Sequence, residues 1–597
     1  MAAIDNSRPW AAPTRWGNSL ITRLLFINHY RSGNNMSKQT IRDLVRPDLV
    51  RRYFVAGLSA GAVVLGYLPE SASATQSEFK LEEATIDDIQ KAVDSGALTY
   101  KKLVQLYLAR IAAYENAGPK LNSIITLNPD ALKVAAAMDK ERKAKGKRSP
   151  LHGIPVLLKD NVDTFDMPTS NGSAILKASV PPDDAHLAKA LRDAGAVILG
   201  KTAMGEFAGG SYNSVKGQTI NPYNFKRHTG GSSSGSGCAI AANFAVLAVG
   251  TDTSTSVRGP SSYNGIVGFR PTTGLISRDG IAPKNLNYDT SGPMARTVTD
   301  MAQMLSIMAG PDAADPISLQ VWDEVKRRHA GQLHAHGARI DYTAFLKADA
   351  LRGVRLGVVR DFFGGDPEID ALANAAVKQM QSLGATIVEI KLDATFLDAL
   401  LNAGGRSMRK IGDYRFKADW EKYLSTLGPN VPKTVAEFVR IYETEVMKSP
   451  LPVEDSVMNL LKTSLTTSTD DPAYKELIEK TLPAATQMKL KLFEQYNVEA
   501  LVFPYFSSFA PPISNPAYKL DDPTYVDSKQ PQPAILSGYS SVGFPCIVVP
   551  MGFGSQGLPM DIAIFGKPYE EAKLIGFGYA YEQASKLRRP SPLVPPL

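Results

Sequence analysis

The chain has 597 residues, 44% hydrophobic and 21% charged, a composition that fits a large folded core and excludes a disordered chain. Its formal charge of +7 does not argue for a nucleic-acid partner, because residues 1–74 hold nine Lys/Arg against four Asp/Glu and leave the remainder near +2. The only cysteines, Cys238 and Cys546, do not establish a disulfide, and no H-E-x-x-H or C-x-x-C supports a zinc site.

Residues 1–74 read as a leader. Val50-Arg51-Arg52-Tyr53-Phe54-Val55 precedes an uncharged, largely apolar run to Leu68, and then comes Pro69-Glu70-Ser71-Ala72-Ser73-Ala74. That order is the twin-arginine, hydrophobic region and A-x-A site of an export signal, and the run is short for a membrane span. Cleavage is expected after Ala74, giving a periplasmic or secreted protein without stable membrane association; if the signal is unused, the protein stays cytoplasmic. A buried or amphipathic helix is the competing reading. Residues 1–35 lack periodicity and are expected to be dispensable, with Met36 a more ordinary start.

The mature chain opens with helices. Thr85-x-x-Asp88 fits a capping arrangement, and Leu103, Leu106, Tyr107, Arg110, Ile111 and Tyr114 recur at helical spacing. A basic loop is expected over Lys140–Arg148, followed by an apolar strand ending at Lys159. Ala194–Gly200 reads as a buried strand after a helix, and Ala239–Val249 as an apolar helix and strand. Residues 311–345 read as an exposed insertion. Val354–Arg360, Ile369–Leu383 and Ala385–Ile390 read as strand, helix and strand, and 400–495 as long charged helices. Alternating helices and strands predict an α/β domain with a largely buried sheet.

Two serine-rich turns carry the chemistry. Gly230-Gly231-Ser232-Ser233-Ser234-Gly235-Ser236-Gly237 and Gly250-Thr251-Asp252-Thr253-Ser254-Thr255-Ser256-Val257-Arg258 are separated by about one element, so two hydroxyls can reach one sheet edge. A serine hydroxyl needs a base to become a nucleophile. Lys159 can serve if it is neutral, and its apolar neighbours Pro155–Leu158 favour that state by desolvation. Asp252 and Arg258 are read as bracing the second turn. Other patterns compete. Gly231–Gly235 fits the G-x-S-x-G elbow around Ser233, yet the later histidines, His329, His334 and His336, fall in a polar basic stretch. Ser407–Lys410 fits S-x-x-K without its partner motifs. Gly195–Thr202 fits G-x-x-x-x-G-K-[ST], but its apolar middle reads as a strand rather than an open phosphate loop. His152, His186 and His228 are read as polar or packing residues, and Cys238 as a packed thiol.

Taken with Gly153–Asn161, Gly200–Phe207, Val267–Gly274, Leu501–Pro504, Gly543–Pro545 and Gly557–Pro559, these turns resemble the amidase signature family from about Phe79 to the C-terminus. The resemblance implies a single large α/β domain over 79–597, a mixed twisted sheet sandwiched between helices, with 400–495 covering the active-site mouth. It implies Lys159 as base, Ser232 as bridge and Ser256 as nucleophile, and an oxyanion hole from the backbone N–H groups of Thr253, Ser254, Thr255 and Ser256. The family commonly has Gly-Gly where this chain has Ser254-Thr255. The implied activity is hydrolysis of a linear carboxamide through an acyl-enzyme, without cofactor or metal. Its partner is a small amide substrate and no nucleic acid, with homodimerisation allowed. An esterase or carbamate hydrolase of the same family and a protein like the A-subunit of an amidotransferase are the alternatives.

Overall fold

The structure, a computed structural model, describes residues 79–329, 339–401, 403–528, 536 and 543–597. The leader at 1–74, including its arginine pair and the site after Ala74, lies outside the described residues, as do His334 and His336.

Helix α1 (Ile86–Asp94) begins with a reciprocal cap in which Thr85 Oγ1 accepts from the Asp88 N–H and the Asp88 carboxylate accepts from the Thr85 N–H. Helix α2 (Tyr100–Ile111) buries Leu103, Tyr107, Arg110 and Ile111. Arg110 is tolerated inside because Glu82 pairs with it at 3.1 Å and the Ala242 carbonyl accepts its Nε–H at 2.8 Å. Helix α3 (Ala131–Lys145) corrects the expected basic loop, since the helix runs through Lys140 to Lys145 and stops at Gly146, with φ +83°. Cations in a last turn favour the helix by facing its carbonyl end.

Among the described residues, eleven strands make one mixed sheet. In chain order they are β1 (Ile124–Leu127), β2 (Pro155–Lys159), β3 (Val197–Thr202), β4 (Leu247–Asp252), β5 (Val267–Arg270), β6 (Thr290–Ala295), β7 (Arg355–Val359), β8 (Thr386–Ile390), β9 (Ala500–Pro504), β10 (Cys546–Phe553) and β11 (Pro559–Phe565). Their spatial order is β1-β3-β2-β4-β6-β5-β10-β11-β9-β7-β8. β2 runs parallel to β3 and β4, while the centre from β4 to β9 is antiparallel. Every residue of β2, β3 and β4 is buried, which fits a sheet covered on both faces.

Helices α4 (His186–Asp193), α5 (Ser234–Ala241), α6 (Arg258–Tyr263) and α7 (Val298–Met308) pack near this half of the sheet. Within 311–345 the structure corrects the exposed reading. Helix α8 (Pro316–Arg328) buries Val321, Trp322 and Val325, and Trp322 donates its indole N–H to the Leu275 carbonyl at 3.0 Å. One apolar stripe anchors the helix while its charges face outward, which makes a polar segment half-buried rather than exposed. Helix α9 (Pro367–Ser382) links β7 to β8. Between β8 and β9 lie α10 (Ala403–Arg409), α11 (Ile411–Thr426), α12 (Val435–Thr444), α13 (Asp455–Ser464) and α14 (Leu482–Gln495), and the last helix, α15 (Glu571–Ser585), follows β11. Phe416 and Trp420 of α11 and Phe438 and Tyr442 of α12 form an aromatic cluster around Phe207. No helix among the described residues is long and apolar enough to cross a membrane.

Candidate active site

Lys159 ends β2, and the parallel neighbour β4 carries Thr251 and Asp252 at its own carboxyl end, so the three side chains share one edge of the sheet. Gly230–Ser233 leads into α5 and brings Ser232 to the same edge, with a cis Gly231–Ser232 peptide bond. It lies so close that a Cβ on Gly250 would meet Ser233 Oγ at 2.9 Å, which is why glycine stands inside this strand.

Lys159 Nζ lies 2.7 Å from Ser232 Oγ, 2.8 Å from Thr251 Oγ1 and 3.3 Å from the Thr251 carbonyl oxygen. The lysine is fully buried. Burial pushes its pKa down to about 7, against the opposing pull of Asp252 and Asp289. A neutral amine has two N–H donors and one lone pair. Both donors can go to Thr251, and the lone pair then faces the Ser232 hydroxyl. Asn161 Nδ2 donates to the same Thr251 Oγ1 at 3.2 Å and helps fix it.

The second serine turn is held by its carbonyls. The Ser256 carbonyl accepts from the Ser233 N–H at 3.3 Å, tying the two turns together, and the Thr255 carbonyl accepts from the Gly259 N–H at 2.7 Å. The Ser254 carbonyl accepts from Arg258. Neither Ser254 nor Thr255 takes a positive φ, so this loop needs no glycine at either position. Ser256 is 7% exposed and borders a cavity of about 370 Å³ shared with Thr253, Ser254, Lys284, Arg409, Asp413 and Asn459. The last three come from α10, the start of α11 and α13.

Asp252 and Arg258 brace the turn through an ion cluster that includes Arg270. One carboxylate oxygen accepts from the Val257 N–H at 3.0 Å and Arg258 Nε at 3.1 Å; the other accepts from Arg258 Nη2 at 3.2 Å and Arg270 Nη1 at 2.9 Å. Burial alone would raise the Asp252 pKa, but the two guanidinium groups outweigh it and hold the carboxyl well below the usual carboxylate range. Thr253 Oγ1 donates to Asp289 at 2.6 Å, and Asp289 also takes the N–H groups of Lys284 and Asn285 at 2.8 Å each. Lys284 is pushed down to about 8 by burial, with Asp289 and Asp413 pulling the other way.

The competing patterns do not assemble. The Ser233 hydroxyl is engaged by the Thr251 backbone at 3.2 Å, while His329 caps α8 with its ring against Phe345 at 6.3 Å. Ser407 and Lys410 are exposed. Lys201 is buried in β3, 2.9 Å from Thr169 Oγ1 and 3.9 Å from Asp160, inside a strand rather than an open loop. His152 packs on Tyr100 and contacts the Met138 carbonyl at 3.0 Å. His186 lies 3.2 Å from Asp312, and His228 accepts from the Gly230 N–H at 2.8 Å. Both cysteines are buried and free.

Thr251, Asn161, Asp289 and Arg270 escaped assignment from sequence. Asn161 and Arg270 stand inside the Gly153–Asn161 and Val267–Gly274 motifs, two residues after Lys159 and three after Val267. Asp289 lies 36 residues beyond Thr253 and gave no local signal.

A family model described as Amidase matches residues 102–575. A protein of Arabidopsis thaliana described as a probable amidase is 31% identical over 532 residues, 86% of this chain and 92% of the relative. The A-subunit of the glutamyl-tRNA(Gln) amidotransferase of Rippkaea orientalis is 34% identical over 500 residues, 81% and 94% of the two chains. The crystal structure of native peptide amidase from Stenotrophomonas maltophilia superposes with a TM-score of 0.74 at 35% identity, covering 86% of this chain and 99% of that one. Sequence and fold agree over the same span, and the chain belongs to the amidase family.

Proposed function

We propose that this chain hydrolyses a linear carboxamide through a serine acyl-enzyme, with Ser256 as nucleophile, Ser232 as bridge and Lys159 as base. The observation that carries the reading is the 2.7 Å contact between the buried Lys159 nitrogen and Ser232 Oγ, at the edge that also holds the Ser256 turn. Neutral Lys159 takes the Ser232 proton, Ser232 takes the Ser256 proton, and Ser256 Oγ bonds to the carbonyl carbon. The tetrahedral intermediate then collapses, the C–N bond breaks, and the proton returns through Ser232 to the leaving nitrogen. Water attacks the ester by the same relay and releases the acid.

The oxyanion is assigned to the N–H groups of Thr253, Ser254, Thr255 and Ser256. In a trans peptide the C=O and the following N–H point in opposite directions. The carbonyls of Asp252, Ser254 and Thr255 are held by Arg270, Arg258 and Gly259, so the N–H groups of Thr253, Thr255 and Ser256 face away from those anchors. This supports them as donors. Losing one such donor costs about 2.7–4 kcal/mol of transition-state stabilisation.

Residues 400–495 are read as the cover that sets substrate preference, supported by the Arg409, Asp413 and Asn459 walls of the Ser256 cavity. Likeness to a peptide amidase makes peptide carboxamides the first class to assay. The arginine pair at 51–52 and the run to Leu68 support export to the periplasm or beyond with cleavage after Ala74. Likeness to the A-subunit of an amidotransferase supports a second reading, in which turnover needs partner chains. Assay of the purified chain alone, on peptide carboxamides, anilides and p-nitrophenyl esters, with Ser256→Ala as control, separates these readings. Turnover that survives Ser256→Ala overturns the mechanism, and turnover that requires partners favours the second reading.

A further inference from the structure

Thr255 stands in the Ser256 turn without a positive φ, and its side chain has its own seat. Thr255 Oγ1 shares a hydrogen bond with the Tyr505 hydroxyl at 2.6 Å. Gly259 leaves the space for it, since a Cβ there would meet Thr255 Oγ1 at 2.9 Å and Phe506 Cζ at 3.2 Å. Tyr505 is fully buried directly after β9, and its N–H donates to the Asp561 carbonyl at 3.0 Å. The Arg258 guanidinium lies over its ring at 5.4 Å, and the Phe506 ring meets it edge-on at 4.8 Å. Phe506 in turn stacks on Tyr263 of α6 at 4.4 Å. A residue about 250 positions away is thereby joined to the middle of the Ser256 turn.

We propose that Tyr505 is a positioning residue for the oxyanion-binding turn, acting through the hydroxyl of Thr255 to set the N–H groups of Thr255 and Ser256. The inference rests on the proposed role of Ser256. Without a glycine the turn carries a side chain that must be anchored or left to swing, and a hydroxyl pair on a buried strand end anchors it. Oxyanion donors act only when they are held where charge develops, and a displacement of about 1 Å at a reacting centre can cost about 10²-fold in rate.

The test is the rate at which an alkyl fluorophosphonate phosphonylates the full chain, alongside kcat and KM on the best carboxamide and the urea unfolding midpoint. Tyr505→Phe and Thr255→Val are each expected to slow phosphonylation and kcat by about 10–100-fold, with KM little changed. Thr255→Ser is expected to recover most of the rate lost in Thr255→Val. The double variant should be no slower than the slower single, because both remove one interaction. Rates unchanged in Tyr505→Phe, losses that multiply in the double variant, or losses that follow the unfolding midpoint without rescue by serine would each overturn the proposal. Ser256→Ala is run in parallel: a persisting adduct there rejects the nucleophile assignment itself, whereas a lost adduct with unaltered Tyr505→Phe rates rejects only the positioning role.

Discussion

Thr251 meets the side-chain nitrogen of Lys159 twice, through its hydroxyl at 2.8 Å and its carbonyl at 3.3 Å. The two contacts hold a buried amine in place and leave one direction, toward Ser232, for proton exchange. Because Lys159 is lowered to about 7, the proposed relay requires the lysine in its deprotonated form. The acid limb of kcat/KM should therefore bend near pH 7 and fall about tenfold per unit below it. Lys159→Arg should abolish that limb together with activity, since arginine does not deprotonate in proteins.

The same lysine weakens the fold. With a folded pKa below its unfolded value, the unfolded chain binds more protons between about pH 7 and the ordinary lysine range, so this site's contribution to stability rises with pH across that window. Lys159→Met should thus be inactive yet more stable than wild type at pH 7, by roughly 1–2 kcal/mol. Urea unfolding at pH 7 and pH 9 checks the sign, with the difference smaller at pH 9.

Asp252 stabilises the fold where Lys159 weakens it, although both lowered groups make stability rise with pH. Its carboxyl lies below the ordinary range when folded, so its stabilisation is present above the unfolded pKa and is lost as pH falls through the lowered folded value. Asp252→Ala leaves Arg258 and Arg270 buried without their shared carboxylate, and should cost about 3–5 kcal/mol. Chemical denaturation at neutral pH measures it.

Two tyrosines fasten the helices between β8 and β9 to the core. Tyr423 donates to Asp163 at 2.8 Å, and Tyr442 donates to Glu206, which also accepts from Ser214 Oγ at 2.8 Å. Burial raises both carboxyls to about 7, with the tyrosine hydrogen bonds opposing. Folded pKa values above the unfolded ones make this stabilisation full below the unfolded pKa and lost as pH rises through about 7. Glu206→Gln keeps a polar side chain there without its charge, so it should flatten the pH dependence of the thermal midpoint between pH 5 and 8 and raise the midpoint at pH 8. Scanning calorimetry at the two pH values reads both effects.

Trp322→Ala should destabilise the chain by about 3–5 kcal/mol, as expected for a large aromatic removed from a packed interior. A loss near zero in denaturant melts would return 311–345 to the exposed reading. Replacing exposed Arg327 with alanine should change little.

Much of this protein is legible in its residues because the signals are local. Pro155–Leu158 ahead of Lys159 reads as a buried strand since its apolar run is continuous, and β2 ends at that lysine. Thr85 and Asp88 mark a helix start through their own spacing. The two departures share one cause: charge along the chain does not show which side of a helix axis it occupies. Arg142, Lys143 and Lys145, like Lys326, Arg327 and Arg328, occupy last turns, where cations suit the dipole, and in Pro316–Arg328 the stripe carrying Trp322 is buried.

By itself the sequence determined which groups the proposed chemistry can draw on, two hydroxyl turns and a lysine behind apolar residues, because hydroxyls and amines are matters of residue type. It also determined the α/β class, through alternating periodicities. Tertiary structure alone decided that Thr251 would seat the lysine, that Arg270 would join Arg258 on Asp252, and that Tyr505 would reach Thr255 from the far end of the chain. The first depends on β2 and β4 lying side by side, the others on side chains that reach across the sheet from strands not paired with β4, and all on burial that weakens a lysine's charge and strengthens an ion cluster; neither is written in any short stretch of residues.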